Sequence, residues 1–376
     1  MNNDWPYVLR DVHLLGGAYA VNSPEKKDKV FLFPNTFDNE QAILTLKSFR
    51  QLYTGLNRFG AKTIGTDFVY HSNHTDGSSL PEFRFYHEYK TEQWAHDYAR
   101  QAWGEISVSA YRLENGHLFD LSKRIQHLVN SLSNSFLDLS MSYRNQLNAR
   151  VVKKELKVGQ RFDDAFSQLI YDKFQIFLFN ACILRDYLSE FVFHYVIPNE
   201  IKVEKHMTTT SRIYKKYYKD REVTTEFDKY FKHICSPIGW LHKLGAYRDL
   251  VMHACPLSMP NKRAWIRLGT INLYDAKQLP RIIAPIPKNP DVISIERNKF
   301  EFFTDFTRLI DQYFDRSNDE SESIDLLEYS VEVMQEFSKL LCETIPLSPI
   351  KGQMMRFDRS NIIGEVKIIS NHKTEP

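Results

Sequence analysis

The sequence predicts a mainly α-helical protein with an N-terminal α+β domain, and three observations carry that class. Apolar residues recur at three- and four-residue steps through much of residues 117–255, the pattern of amphipathic helices. Residues 1–115 instead alternate short β-leaning runs with one helical stretch. Residues 256–298 hold six of the 15 prolines, which reads as an insertion between helices. The chain is therefore expected to divide into an α+β domain at 1–115, a helical bundle at 116–346 with a Pro-rich insertion at 256–298, and a loosely held tail at 347–376.

In the first domain the β-leaning runs are 29–33, 66–71 and 82–89, with a helix at 40–57. Residues 71–80, rich in Ser, Asn, His, Asp and Gly, read as a loop with His71 and His74 exposed on it. A long amphipathic helix follows, with Leu118, Leu121, Ile125, Leu128, Leu132, Phe136, Leu139, Tyr143 and Leu147 on its stripe. A second begins near Arg161, with Asp163 and Asp164 favourably placed in its first turn, and runs to Pro198. Its apolar stretch through Phe177, Cys182, Leu188 and Phe191 predicts a central position. Residues 199–221 break the pattern and read as a loop or short exposed helix. A helix at 226–234 precedes another at 239–255, opened by Pro237 and stopped by Pro256. The Pro-rich region carries one strand candidate, 265–274. Helices resume at 299–315, an acidic linker covers 316–323, and a last helix carries Ile324, Leu327, Val331, Met334, Leu341 and Ile345 before Pro346.

A chain of 376 residues, 43% hydrophobic and 26% charged, has the balance of a globular protein with a sizeable core. Its 49 basic and 47 acidic side chains nearly cancel, so any surface that attracts nucleic acid must be local. The longest nearly apolar run, 174–184, is broken by Gln175 and Asn180 and falls well short of the roughly 20 residues that span a bilayer. With no basic and then apolar opening stretch either, the expected location is cytoplasmic, away from the membrane. Cys182, Cys235, Cys255 and Cys342 match no Cys-x-x-Cys spacing and are expected as reduced thiols. In His233-x-Cys235 and His253-x-Cys255 the two side chains point about 200° apart on a helix, so no metal or cofactor is expected.

The helix at 239–255 carries the chemistry. Trp240, Leu244, Tyr247, Val251 and Ala254 share one side of its wheel, while His242, Asp249 and His253 form a polar strip opposite. Asp249 and His253 are four residues apart, and a carboxylate beside an imidazole can orient the ring and favour its protonated form. Arg248 borders the apolar stripe, about 140° from His253. A phosphodiester reaction needs a group titrating near neutrality to move protons and a planar cation to hold the phosphate, which His253 and Arg248 provide. The basic block at 212–221 interleaves Tyr214, Tyr217 and Tyr218 with Arg212, Lys215, Lys216 and Lys219, a mixture suited to single-stranded nucleic acid. An ordinary solvated basic face is the alternative. Asn180, Arg185 and Asp186 interrupt an apolar helix and either support the same cleft or tie helices together.

The run Tyr247-Arg248-Asp249-Leu250-Val251-Met252-His253 resembles the signature of the HEPN superfamily, an Arg followed after four to six residues by a His. A second match, Arg112 to His117, contains the turn dipeptide Asn115-Gly116 and is set aside. The resemblance implies a HEPN-like helical bundle, and a metal-independent endoribonuclease with Arg248, His253 and Asp249 as catalytic residues. It further implies a homodimer, RNA as substrate, and a toxin or antiviral defence role restrained by a regulatory protein or nucleotide. The rival reading is a catalytically silent helical module that binds nucleotide, RNA or a protein partner in the same groove.

Overall fold

The structure, a computed structural model, describes residues 8–22, 28–48, 51–70, 81–198, 209–254, 257–259, 262–293 and 303–353. The loop histidines His71 and His74 and most of the expected tail lie outside these residues.

The first elements are strands. β1 (Val8–Leu14), β2 (Tyr19–Asn22), β3 (Lys29–Phe33), β4 (Ala42–Thr45), β5 (Thr63–Tyr70) and β6 (Glu82–Phe85) form one antiparallel sheet in the order β4-β3-β2-β1-β5-β6. Short α1 (Leu52–Arg58) lies between β4 and β5 in the chain. Alternation buries Val30 and Leu32 on β3, whereas β1 ends in three consecutive buried residues, Val12, His13 and Leu14.

The helices follow as α2 (Ala95–Arg112), α3 (Gly116–Val152) and α4 (Ala165–Phe191). Asn115 caps α3 by accepting from Leu118 N at 3.0 Å, so the Asn-Gly pair starts this helix and ends the Arg112 match. Asp164 caps α4 in a reciprocal box with Ser167, and the residues expected as its first turn, Arg161–Phe162, are instead strand β7. α4 passes into a π-helical turn, Val192–Val196. Beyond residues 199–208 come α5 (Thr210–Ile213) with a π turn at Tyr214–Tyr218, α6 (Glu226–Cys235), and α7 (Trp240–Asp249) with a π turn at Leu250–Ala254.

The Pro-rich region adds more strand than expected. Short β8 (Ser258–Met259) and β9 (Lys262–Arg263) pair with each other. β10 (Ile266–Asn272) sits between β7 and β11 (Gln278–Ile283), and β12 (Pro285–Pro287) pairs with β13 (Ser323–Asp325) beyond α8 (Phe303–Asn318). Pro280 is accommodated because β11 is an edge strand, where a missing N–H costs no ladder bond. The chain closes on α9 (Leu326–Thr344).

The expected fold class, a mainly α, HEPN-like helical bundle, is therefore corrected. The described residues are 55% helix and 19% strand, and a six-stranded antiparallel sheet packs with the helices in a mixed α/β architecture. Two local readings were also wrong for physical reasons. The helix expected at 40–57 is β4 followed by α1, and α2 was missed because its buried stripe is built largely of Ala95, Ala99 and Ala110 around Trp103 and Ile106. No helix among the described residues is long and apolar enough to cross a membrane.

The sheet is seated directly on α3. Gly17, at φ 89° in the β1–β2 turn, has no room for a side chain, since a Cβ there would lie 2.6 Å from the Tyr143 backbone. One residue along, Arg144 makes a two-pronged pair with Asp11 at 2.6 and 2.9 Å and covers the Tyr19 ring at 4.2 Å. Tyr143 is fully buried; its hydroxyl donates to Asp325 and accepts from Leu327 N at 3.2 Å, which joins α3 to the start of α9. Asp325 also caps α9 through Leu327 N at 3.0 Å. Its second oxygen has no hydrogen-bond partner among the described residues, and burial pushes the carboxyl up to about 6.

Tyr143→Phe is expected to cost about 1–3 kcal/mol in chemical denaturation, the range for stranding buried polar groups. A loss below about 0.5 kcal/mol would mean the Asp325 carboxyl is satisfied without the tyrosine. The pH dependence has a definite sign. A carboxyl at about 6 in the folded chain, against about 3.9 when exposed, holds its proton more tightly when folded. The stability it confers is full below about pH 4 and declines as pH rises through about 6. Melting curves of Asp325→Asn, whose Oδ1 can still cap α9, should lack that part of the decline and gain on the native chain between those pH values.

Candidate functional site

A cleft of about 520 Å³ opens between α4, the α5 segment and α7. Its position follows from how α7 packs. Leu244 and Tyr247 are buried on one side of that helix, against α4 and α9: the Cys182 thiol reaches Leu244 O at 4.0 Å, and the Tyr247 ring lies 4.6 Å from that of Tyr329, tilted by 51°. The Tyr247 hydroxyl donates to Pro287 O at 2.5 Å and anchors α7 to β12. The rest of the surface of α7 presents Leu241, His242, Gly245, Ala246, Arg248 and Asp249 to the cleft, with Leu241 buried at its floor.

From α4 come Arg185 and Asp186, and from the basic block Thr209, Thr210, Ser211, Tyr214, Lys215 and Lys219. Four cations thus share the cleft with three carboxylates, the third being Asp291. The two arginines are each held by the carboxylate of the next residue: Arg185 Nε donates to Asp186 at 3.0 Å, and Arg248 donates to Asp249 through Nε at 3.0 Å and Nη2 at 2.7 Å. Burial works against the charge on Arg248, but hydrogen bonding and attraction to Asp249 prevail and hold its pKa above the ordinary arginine value. His242 faces Asp291 at 3.7 Å. Among the described residues neither exposed lysine, Lys215 or Lys219, has an ion-pair partner.

Of the residues singled out from sequence, the cleft brings together Arg185, Asp186, Lys215, Lys219, His242, Arg248 and Asp249. Arg212 and Lys216 are exposed on the same segment but do not line it. Tyr217 turns toward the protein, edge-on to Tyr218 at 4.6 Å and capped by Arg221 at 4.7 Å, so its ring is engaged internally. Asn180 donates to Ser131 O at 3.4 Å, a tie between α4 and α3 away from the cleft. The His253 side chain lies outside the described residues, as do Cys255 and Pro256. The backbone from Leu250 to Ala254 winds as a π turn, so the α-helical wheel drawn through Asp249 and His253 stops applying at Leu250.

Two features went unread in the sequence. Gly245 allows the close approach of Arg185, since a Cβ at 245 would sit 2.9 Å from Arg185 Nη1. Asp291 arrives from the Pro-rich region, a contact no local pattern encodes. Thiol chemistry is disfavoured here: burial pushes Cys182 up to about 11, and Cys235, which lines the cleft, is pushed up further by the same cause. No family model, curated protein or solved structure matches this chain.

Gly245→Ala tests the packing of the cleft. The added methyl meets only the flexible end of Arg185, and alanine is the better helix former, so unfolding free energy should change by less than about 1 kcal/mol. The guanidinium must move, and binding of a short single-stranded RNA, followed by fluorescence anisotropy, should weaken several-fold. Unchanged binding would show that Arg185 does not face the ligand.

Proposed function

We propose that the cleft binds RNA and that the protein is a metal-independent endoribonuclease of HEPN type. The observation that carries the reading is the convergence of Arg248, Arg185, Lys215 and Lys219 on one depression, from three segments far apart in the chain. Two arginines suit two-pronged contacts to phosphate oxygens, and the lysines suit the neighbouring backbone.

In this reading the ribose 2′-oxygen attacks the adjacent phosphorus while His253 accepts its proton. The new O2′–P bond forms as the P–O5′ bond breaks, the leaving 5′-oxygen takes up the proton that His253 accepted, and a 2′,3′-cyclic phosphate remains. Arg248 neutralises the charge that builds on the phosphoryl oxygens, exchanging the Asp249 carboxylate for phosphate as the substrate enters. Assembly as a homodimer, a cytoplasmic location and a restrained defence or toxin role belong to the same proposal.

The Arg248–Asp249 pair favours a second reading. An arginine already satisfied at 2.7 and 3.0 Å can serve a module that binds RNA, nucleotide or a protein partner without cutting. The deciding experiment incubates purified protein with a mixed-sequence RNA in excess chelator, beside Arg248→Ala and His253→Ala. Cleavage that survives chelation and falls by about 100-fold or more in both variants is the expected result. Intact RNA with retained binding would favour the silent module, and cleavage by either variant would overturn the assignment of residues.

A further inference from the structure

On α4, about 140° round the helix from Arg185 and so away from the cleft, three metal-ligating side chains converge. His117 from the first turn of α3, Glu190 from the last turn of α4 and His194 from the following π turn place one ligand atom each within 4.8 Å of the others. We propose that these residues bind a zinc-class divalent cation that clamps the start of α3 to the end of α4.

The chemistry of the set fits. Two imidazoles and a carboxylate are borderline ligands suited to Zn²⁺, with a fourth position left for water. Around a tetrahedral zinc with bonds of about 2.0–2.1 Å, ligand atoms stand about 3.3 Å apart. His117 Nε2 and Glu190 Oε1 already lie 3.4 Å apart, and the His117 and His194 ring centroids 4.5 Å apart, so closure needs only small side-chain rotations. His117 is half-exposed and Glu190 is 18% exposed, which leaves a path for the ion.

The second shell is also present. The Tyr195 hydroxyl lies 2.7 Å from His117 Nδ1, an arrangement that holds the ring with Nε2 toward Glu190. Arg124 is the competing cation: it touches both Glu190 oxygens, but only at 3.4 Å. It pairs more closely with Asp120 at 2.9 Å and covers the Tyr187 ring at 4.6 Å, so it has partners to keep when Glu190 turns to a metal.

The test uses the full chain, stripped with chelator and dialysed, and titrated with ZnCl₂ by calorimetry, with retained metal measured by elemental analysis. One zinc per chain is expected, with a rise in melting temperature. His117→Ala and His194→Ala should each weaken binding by more than about 100-fold, and Tyr195→Phe by about 10-fold, while Arg124→Ala should strengthen it. Co²⁺ in place of zinc should give the intense visible absorption of a tetrahedral site in the native chain and not in the histidine variants. The metal-free melting temperatures of these variants show whether each still folds. No zinc uptake by the native chain, or native affinity in both histidine variants, would overturn the proposal. RNA cleavage in chelator is indifferent to this site, so the two proposals fail separately.

Discussion

The covering of α3 is the constraint on which the rest depends. This 37-residue helix buries side chains from Leu118 to Arg150, so it must be enclosed along its whole length. α2 and α4 flank it, and the six-stranded sheet approaches closely enough that only glycine fits at position 17. Apolar contact supplies the driving force, since each fully buried Leu, Ile or Phe contributes about 1.5–3 kcal/mol. The polar residues near its C-terminal end set the geometry. Arg144 reaches Asp11 on β1, Arg150 reaches Asp164 and Glu155, Gln146 reaches Asp164 and Ser167, and Tyr143 reaches Asp325. Buried charges and amides left without such partners cost several kcal/mol, so each pairing excludes arrangements that would break it.

The cleft inherits its shape from this frame. α4 turns Phe174, Phe177, Leu178 and Leu184 inward and leaves Arg185 and Asp186 at its border with α7. α7 is held from below by Leu244 and Tyr247, which leaves its polar side open. Each arginine keeps a carboxylate one residue away, an arrangement that solvates the guanidinium while the cleft is empty. A dianionic or multiply charged ligand can displace those short-range partners, whereas a neutral one has little to offer. The same logic explains why the nearly balanced charge of the whole chain does not preclude a local anion site.

Much of the helical part was legible in advance. The stripe of α3, the apolar centre of α4, and the periodicity of α9 are properties of residues three and four apart, whereas Asn115, which reads as part of a turn, and Asp164, which reads as a first-turn residue, are N-caps in the structure. The strands were less so. β1 mixes Arg10, Asp11 and His13 with apolar residues, because Asp11 pairs with Arg144 and His13 bonds Ser140 across the interface, so its polar positions are filled from outside the strand. β11 and β12 carry prolines that argue against strand in any local reading, and only their edge or short pairing admits them.

The sequence by itself determined which segments could be helices, which side chains could bind phosphate or move protons, and that no long apolar span exists among them. Those are matters of composition and near-neighbour spacing, which a chain carries whatever its fold. Only the tertiary structure decided that a six-stranded sheet closes over α3, that Tyr217 turns inward while Lys215 and Lys219 face the cleft, and that Arg185 and Arg248 line the same cleft. It alone brought His117 to Glu190 and His194. Residues separated by dozens of positions come together only when burial elsewhere forces their elements into contact, and no local period records that outcome.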